Sequence, residues 1–202
     1  MLTPLHVELQ GSGVLLLHNP ALADPKAPVV KQIAAITKKR TKTDEDREQI
    51  ERLEWFSSLY IEDGEIGVPS SHPRGALVGA ARASKQGKLI ERGIMIPVTF
   101  LPLSFPGSDK VADGTVSLDD LYSNPSYSYR ASVVVSGRRT FRVRPRFTDW
   151  SLQCTFLIDD GLLDEGEFLS ILEIAGIREG IGDNRRNGFG RFTVKALPSK
   201  NK

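Results

Sequence analysis

Cysteine is nearly missing from this chain. Cys154 is the one thiol in 202 residues, which excludes an internal disulfide framework and a cysteine-rich metal site. Histidine is scarce as well, and His6, His18 and His72 stand at spacings unlike those of metal ligands, so neither a zinc centre nor another cofactor is expected. No apolar run has membrane-spanning length: "GVLLL" (13–17) is too short, and "GIMIPVTFLPL" (93–103) is broken by proline. No basic segment followed by an apolar helical core comes after Met1, so an unexported chain in a reducing cytoplasm is expected, with no membrane partner. Net charge is small too. The 27 Lys and Arg against 25 Asp and Glu leave +2, so any basic surface must come from where the cations sit rather than from their number.

Hydrophobic residues make up 40% of the chain, enough to bury a core in one domain covering 1–202. Leu5 to Leu17, interrupted by "GSG" at 11–13, suits a strand with a bulge or a tight hairpin. The prolines of "HNPALADPKAP" (18–28) predict an extended loop. A helical insertion is expected over 31–62, with "KKRTK" (38–42) exposed. Within it, Thr43 and Asp46 form a capping-box pattern ahead of Ile50, Leu53, Phe56 and Tyr60 at helical spacing, and Glu48 with Arg52 makes an i,i+4 pair. A second helix start is read in "VPSSHPRGALVGAARASK" (68–85), with Ser71 or His72 as cap, Pro73 at the first helical position, and a small-residue face of Ala76, Gly79, Ala80 and Ala83.

The segment 104–128 is rich in glycine, proline, serine and aspartate without periodicity. With the hairpin that follows, it is expected to protrude from the core over 104–147. That hairpin turns at Ser136-Gly137, and its second strand alternates Arg138, Arg142, Arg144 and Arg146 on one face with Phe141 and Val143 on the other. A further strand is read at 150–159. A helix follows, boxed by Asp164 and Glu167 with Phe168, Ile171, Leu172 and Ala175 inward, and then a last strand at 190–197. The order strand, helix, strand, strand, helix, strand predicts an α+β, ferredoxin-like (RRM-like, split βαβ) core with helical and thumb-like insertions.

Before the last strand stands "GIGDNRRNGFGRF" (180–192), four glycines and three arginines in thirteen residues. Glycines supply left-handed turns and close backbone approach; arginines supply forked donors suited to phosphate. The loop is either a tight structural turn that happens to be basic or an anion grip. A dinucleotide fingerprint fails at Arg185, and the loop follows a helix rather than opening one.

A ferredoxin-like order ending in this loop resembles the RAMP superfamily, the repeat-associated proteins of CRISPR systems. Its members carry G-h-G, five residues and G-x-G before the final strand, here Gly180, Gly182, Gly188 and Gly190. "VPSSHPRGAL" is similar to the family's "IPGSSLKGxL" at Pro69, Ser71, Gly75 and Leu77, with Arg74 as the basic residue. "KAPVVK" (26–31) is similar to the "DSPVIK" of type III backbone subunits. The resemblance implies guide-RNA binding by copies stacked along a strand. Single-stranded RNA, or single-stranded DNA, further copies of the chain and other effector-complex subunits are the partners it implies.

Backbone amides in a glycine loop and at a helix start are anion sites. The expected contacts are therefore Ser71, His72, Arg74, Gly182, Gly188 and Gly190, with Arg185, Arg186, Arg191, Lys26 and the Arg138–Arg146 stripe adding charge. A competing reading is a metal-dependent endoribonuclease, and another is a free-standing, virus-borne relative that binds DNA. In the family's cleaving members an aspartate opens "DSPVIK"; Lys26 stands there in this chain, which argues against catalysis and leaves Asp24 as the alternative carboxylate.

Overall fold

The computed structural model describes residues 1–198 apart from Ser136, and the side chains of Val135 and Arg138 also lie outside the described set. The protein is a mixed α+β chain with several antiparallel sheets. Among the described residues no helix is long and apolar enough to cross a membrane.

The first strand, β1 (Leu2–Gly11), alternates strictly from Leu5, with Leu5, Val7 and Leu9 buried. The GSG stretch ends it for a steric reason. A side chain on Gly11 would overlap the Trp150 indole, whose Nε1 donates to the Gly13 carbonyl at 2.8 Å. The chain then resumes as β2 (Leu15–Leu16) in a different sheet, so the break is a passage between sheets rather than a hairpin. The proline-rich segment contains a 3-10 turn at Pro20–Ala23, started by the Asn19 side chain, where only extended backbone was expected. Pro28 then opens α1 (Pro28–Thr37), at the position where a missing N–H costs nothing.

Thr43 and Asp46 form the reciprocal capping box, and α2 (Asp44–Ser58) follows. The expected Glu48–Arg52 pair gives way to tertiary partners: Arg52 pairs with Asp119 and lies 4.5 Å over the Phe56 ring. Next come β3 (Ile61–Glu62), β4 (Glu65–Pro69), α3 (Ser71–Ala83), α4 (Gly87–Gly93), β5 (Ile94–Met95) and β6 (Phe100–Pro102). Ser70 occupies the cap position of α3 without a side-chain bond, so neither Ser71 nor His72 caps it, and Pro73 is third in the helix. Ala76, Leu77, Ala80 and Ala81 form its buried face, while Ala83 is exposed.

Two short helices, α5 (Ser108–Ala112) and α6 (Leu118–Ser123), occupy the segment expected to be loop, the second with its own Ser117–Asp120 capping box. Phe105, Val111 and Leu121 are buried in the core cluster, so 104–128 packs down instead of protruding. The hairpin β7 (Ser128–Val135) and β8 (Arg138–Phe147) follows as expected, then β9 (Ser151–Asp159), α7 (Glu165–Ile174) capped by Asp164, a single π turn at Ala175–Glu179, and β10 (Phe192–Ala196).

Three sheets result, in the orders β10-β1-β9-β5, β2-β8-β7 and β3-β4-β6, with every pairing antiparallel. In the first, Leu152, Cys154, Phe156 and Ile158 share a buried face with Leu5, Val7 and Leu9, covered by α3, by Phe168, Ile171 and Leu172 of α7 and by Ala175 of the π turn. Each large apolar side chain buried there contributes about 1.5–3 kcal/mol. Burial pushes the Cys154 thiol up to about 12, as befits an inert core residue. The opposite face carries His6, Glu8, Gln10, Gln153, Thr155 and Lys195 and no aromatic residue. It therefore lacks the aromatic stacking platform of an RNA-recognition sheet.

Candidate nucleic-acid interface

The glycine loop is built by close backbone approach. Gly180, Gly182, Gly188 and Gly190 all take positive φ, between 68° and 87°. A Cβ on Gly182 would overlap the Leu16 carbonyl oxygen, and one on Gly190 the Ile181 carbonyl oxygen. These approaches let Asp183 N–H donate to Leu16 O at 2.8 Å, Gly190 N–H to Val14 O at 2.7 Å and Ile181 N–H to Gly190 O at 2.9 Å. The loop is thereby stapled to β2, and those amides serve the fold rather than a ligand. At the tip, residues Arg185–Asn187 form an exposed 3-10 turn ending at Gly188, where a side chain would meet open space. Both structural alternatives thus hold in different parts of one loop: a stapled base and an exposed basic tip. Arg191 belongs to the base. Its guanidinium donates to Arg185 O at 3.1 Å, and its Nη1 is buried without a partner among the described residues.

The start of α3 faces this tip. His72 stacks edge-on against Tyr60, with ring centroids 5.4 Å apart. Its pKa is lowered from 6.5 to about 4, by burial first and then by the Arg185 charge, and its Nδ1 is buried without a partner among the described residues. Ser71 is exposed; Arg74 donates to the Glu91 carbonyl at 2.9 Å and so braces α4. The Tyr60 hydroxyl donates to His18 O at 2.9 Å, which links His72 of α3, through the Tyr60 ring, to a residue two positions past β2.

The arginine stripe of β8 lies next to His18, and two of its members hold carboxylates. Arg142 pairs with Glu54 of α2, whose other oxygen accepts the Val143 N–H at 3.3 Å. Arg144 pairs with Asp183 of the glycine loop at 3.4 Å and is 15% exposed. Among the described residues Arg146 has no ion-pair partner, and neither do Arg185, Arg186 or Lys26. The Arg138 side chain lies outside the described residues. Lys26 and Asp24 sit on an exposed turn ahead of α1, with the Asp24 carboxylate accepting the Lys26 N–H at 2.8 Å. Among the described residues no three His, Cys, Asp or Glu side chains are grouped to hold a metal ion.

Glu54, Tyr60, His18 and Asp183 join the expected residues, and sequence reasoning assigned none of them a place in the site: Tyr60 stood on the apolar stripe of a helix, His18 was set aside as a metal ligand, and Glu54 was one of several carboxylates along α2. The expected cations are of two kinds: among the described residues Arg185, Arg186, Arg146 and Lys26 pair with no carboxylate, whereas Arg142 and Arg144 are neutralised in place. Comparison with known proteins adds no relative, since no protein-family model matches the chain and no curated protein matches its sequence.

Proposed function

We propose that this chain binds single-stranded nucleic acid, RNA in preference to DNA, through backbone phosphates, and does so as a repeating subunit of a RAMP-like ribonucleoprotein. The observation that carries the reading is convergence. The start of α3, the glycine loop and the β8 stripe come from distant parts of the chain and meet around Tyr60 and His18. The sheet order β10-β1-β9-β5 supports a ferredoxin-like core: taken in chain order these are the fourth, first, third and second strands, with α3 and α7 packed together over one face. Exposed arginines on a tip that no acidic side chain neutralises suit a phosphate chain read without base preference.

The test is the salt dependence of binding to a single-stranded RNA. Each neutralised phosphate contributes a slope of about 0.7 in log affinity against log salt. Replacing Arg185 and Arg186 together by alanine is expected to lower the slope by roughly 1.4 on the same scale and to leave the thermal midpoint within a degree or two of the parent. An unchanged slope, or no binding at low salt, overturns the reading.

A further inference from the structure

Helix α1 has a stripe that the core does not use. Val30, Ile33 and Ala34 recur on one face, yet Ile36, off that face, is the helix's one buried residue. The stripe instead forms a wall of a cleft of about 360 Å³ that Arg142, Arg144 and His18 also line, a size within the range of ligand pockets, about 300–1,000 Å³.

Two features determine what this cleft accepts. Its cations are already matched, Arg142 by Glu54 and Arg144 by Asp183, so a phosphate would have to displace a carboxylate while a neutral group would not. His18, in turn, lends its ring to the lining; its Nδ1 is buried with no hydrogen-bond partner among the described residues, so a turn of the ring that presents this atom to a group in the cleft gains a hydrogen bond. Burial, and then the Arg144 charge, hold the imidazole pKa below its usual 6.5, so the ring is neutral at pH 7 and offers a neutral hydrogen bond. An apolar wall, guanidinium groups that favour π faces and one unpartnered imidazole nitrogen together describe a planar, uncharged, hydrogen-bonding heterocycle.

We propose that the cleft between α1 and β8 is a subsite for a single nucleobase, enclosed by Val30, Ile33 and Ala34 on one side and Arg142 and Arg144 on the other, with His18 Nδ1 bonded to the base edge. Arg142 and Arg144 also line a second cleft with Asp183 and Asn184 of the glycine loop, so the subsite adjoins the phosphate-binding tip. The base belongs either to a bound strand, a source that rests on the proposed function, or to a free nucleoside, which does not.

Two measurements separate these sources: NMR titration of labelled protein with free adenosine, guanosine, cytidine and uridine, and fluorescence of a single-stranded RNA carrying one 2-aminopurine. Two variants accompany the parent protein: Ala34→Trp, which fills the cleft from a half-buried helix position, and His18→Phe, which keeps the ring and removes the nitrogen. Nucleosides are expected to shift the amides of Val30, Ile33, Ala34, Arg142 and Arg144. Ala34→Trp is expected to abolish those shifts and the 2-aminopurine response while RNA still binds with the parent salt slope. His18→Phe is expected to weaken nucleoside binding by about three- to tenfold. Nucleoside shifts without RNA binding would retain the subsite and remove the strand as its source. RNA binding with the expected salt slope, but with no cleft shifts and with fluorescence unaffected by Ala34→Trp, would overturn the subsite and leave the phosphate reading standing.

Discussion

Gly188 and Gly190 share a left-handed backbone, with φ of 87° and 69°, but nothing else about their surroundings is alike. A methyl group on Gly188 enters open space, so Gly188→Ala carries only the left-handed penalty of about 1–2 kcal/mol. A methyl group on Gly190 meets the carbonyl oxygen of Ile181, a residue whose own N–H is bonded to Gly190 O, so Gly190→Ala is expected to cost more than about 4 kcal/mol. In thermal melts Gly188→Ala should lower the midpoint by a few degrees, about 2–4 °C per kcal/mol for a chain of this size, and Gly190→Ala should fail to give a folded transition. Equal losses would mean that the stapled base and exposed tip are not distinct.

His72 permits a test on pH. Its folded pKa is about 4, against about 6.5 in an unfolded chain, so between these values the unfolded state binds the extra proton. The contribution of His72 is therefore fully present above about pH 6.5 and is lost as pH falls toward 4; His18, also lowered by burial, acts with the same sign. The melting midpoint is expected to fall between pH 7 and pH 5, and to fall less in His72→Gln. An identical pH profile in the variant would rule out His72 as the titrating group.

At the scale of elements, α2 and β8 are joined by a pair whose two halves are not equivalent. Glu54 is 6% exposed, while Arg142 is 34% exposed, so each loses something different when its partner goes. Arg142→Ala strands a buried carboxylate that keeps only the Val143 N–H, and breaking a buried pair in this way costs about 3–5 kcal/mol. Glu54→Gln leaves a cation that reaches water and keeps an acceptor in place, so a loss of about 1 kcal/mol is expected. Urea denaturation of the two variants measures the asymmetry; a larger loss in Glu54→Gln would reverse it.

The same pair shows what local sequence reveals. The alternation of arginines along β8 was legible because strand period is a property of neighbours, and the Thr43–Asp46 box was legible because it spans one helical turn. The carboxylates that neutralise the stripe were not, since Glu54 and Asp183 lie 88 and 39 positions away from Arg142 and Arg144. The start of helix α1 fell ahead of the helical insertion expected from 31 for a different reason: the prolines before it signal a loop, yet Pro28 is the residue that starts the helix. Likewise the glycine spacing of 180–190 pointed to left-handed backbone, but the strand it would be stapled to, Val14–Leu16, lay at the other end of the chain.

For the molecule as a whole, size and charge argue for many copies on one strand. Single-strand-binding modules such as OB folds span on the order of 4–16 nucleotides; on the proposed reading a copy of comparable reach, with a net charge of +2, neutralises only part of the phosphate it spans. Affinity for a long strand then comes from multiplicity, because a second copy on the same strand binds at a raised effective concentration. The β7–β8 hairpin offers exposed apolar surface for contact between copies, with Val134 66% and Phe141 50% exposed and Arg130 stacked 3.9 Å over the Phe141 ring. Light scattering on complexes with RNAs of increasing length is expected to report mass rising in steps of one protein copy, with affinity per copy rising alongside. Phe141→Ser, at a half-exposed ring, should leave the single-copy complex on a short RNA intact and flatten the rise in affinity on long ones. One copy at every RNA length would remove the repeating-subunit reading and leave a solitary binder with the same phosphate tip.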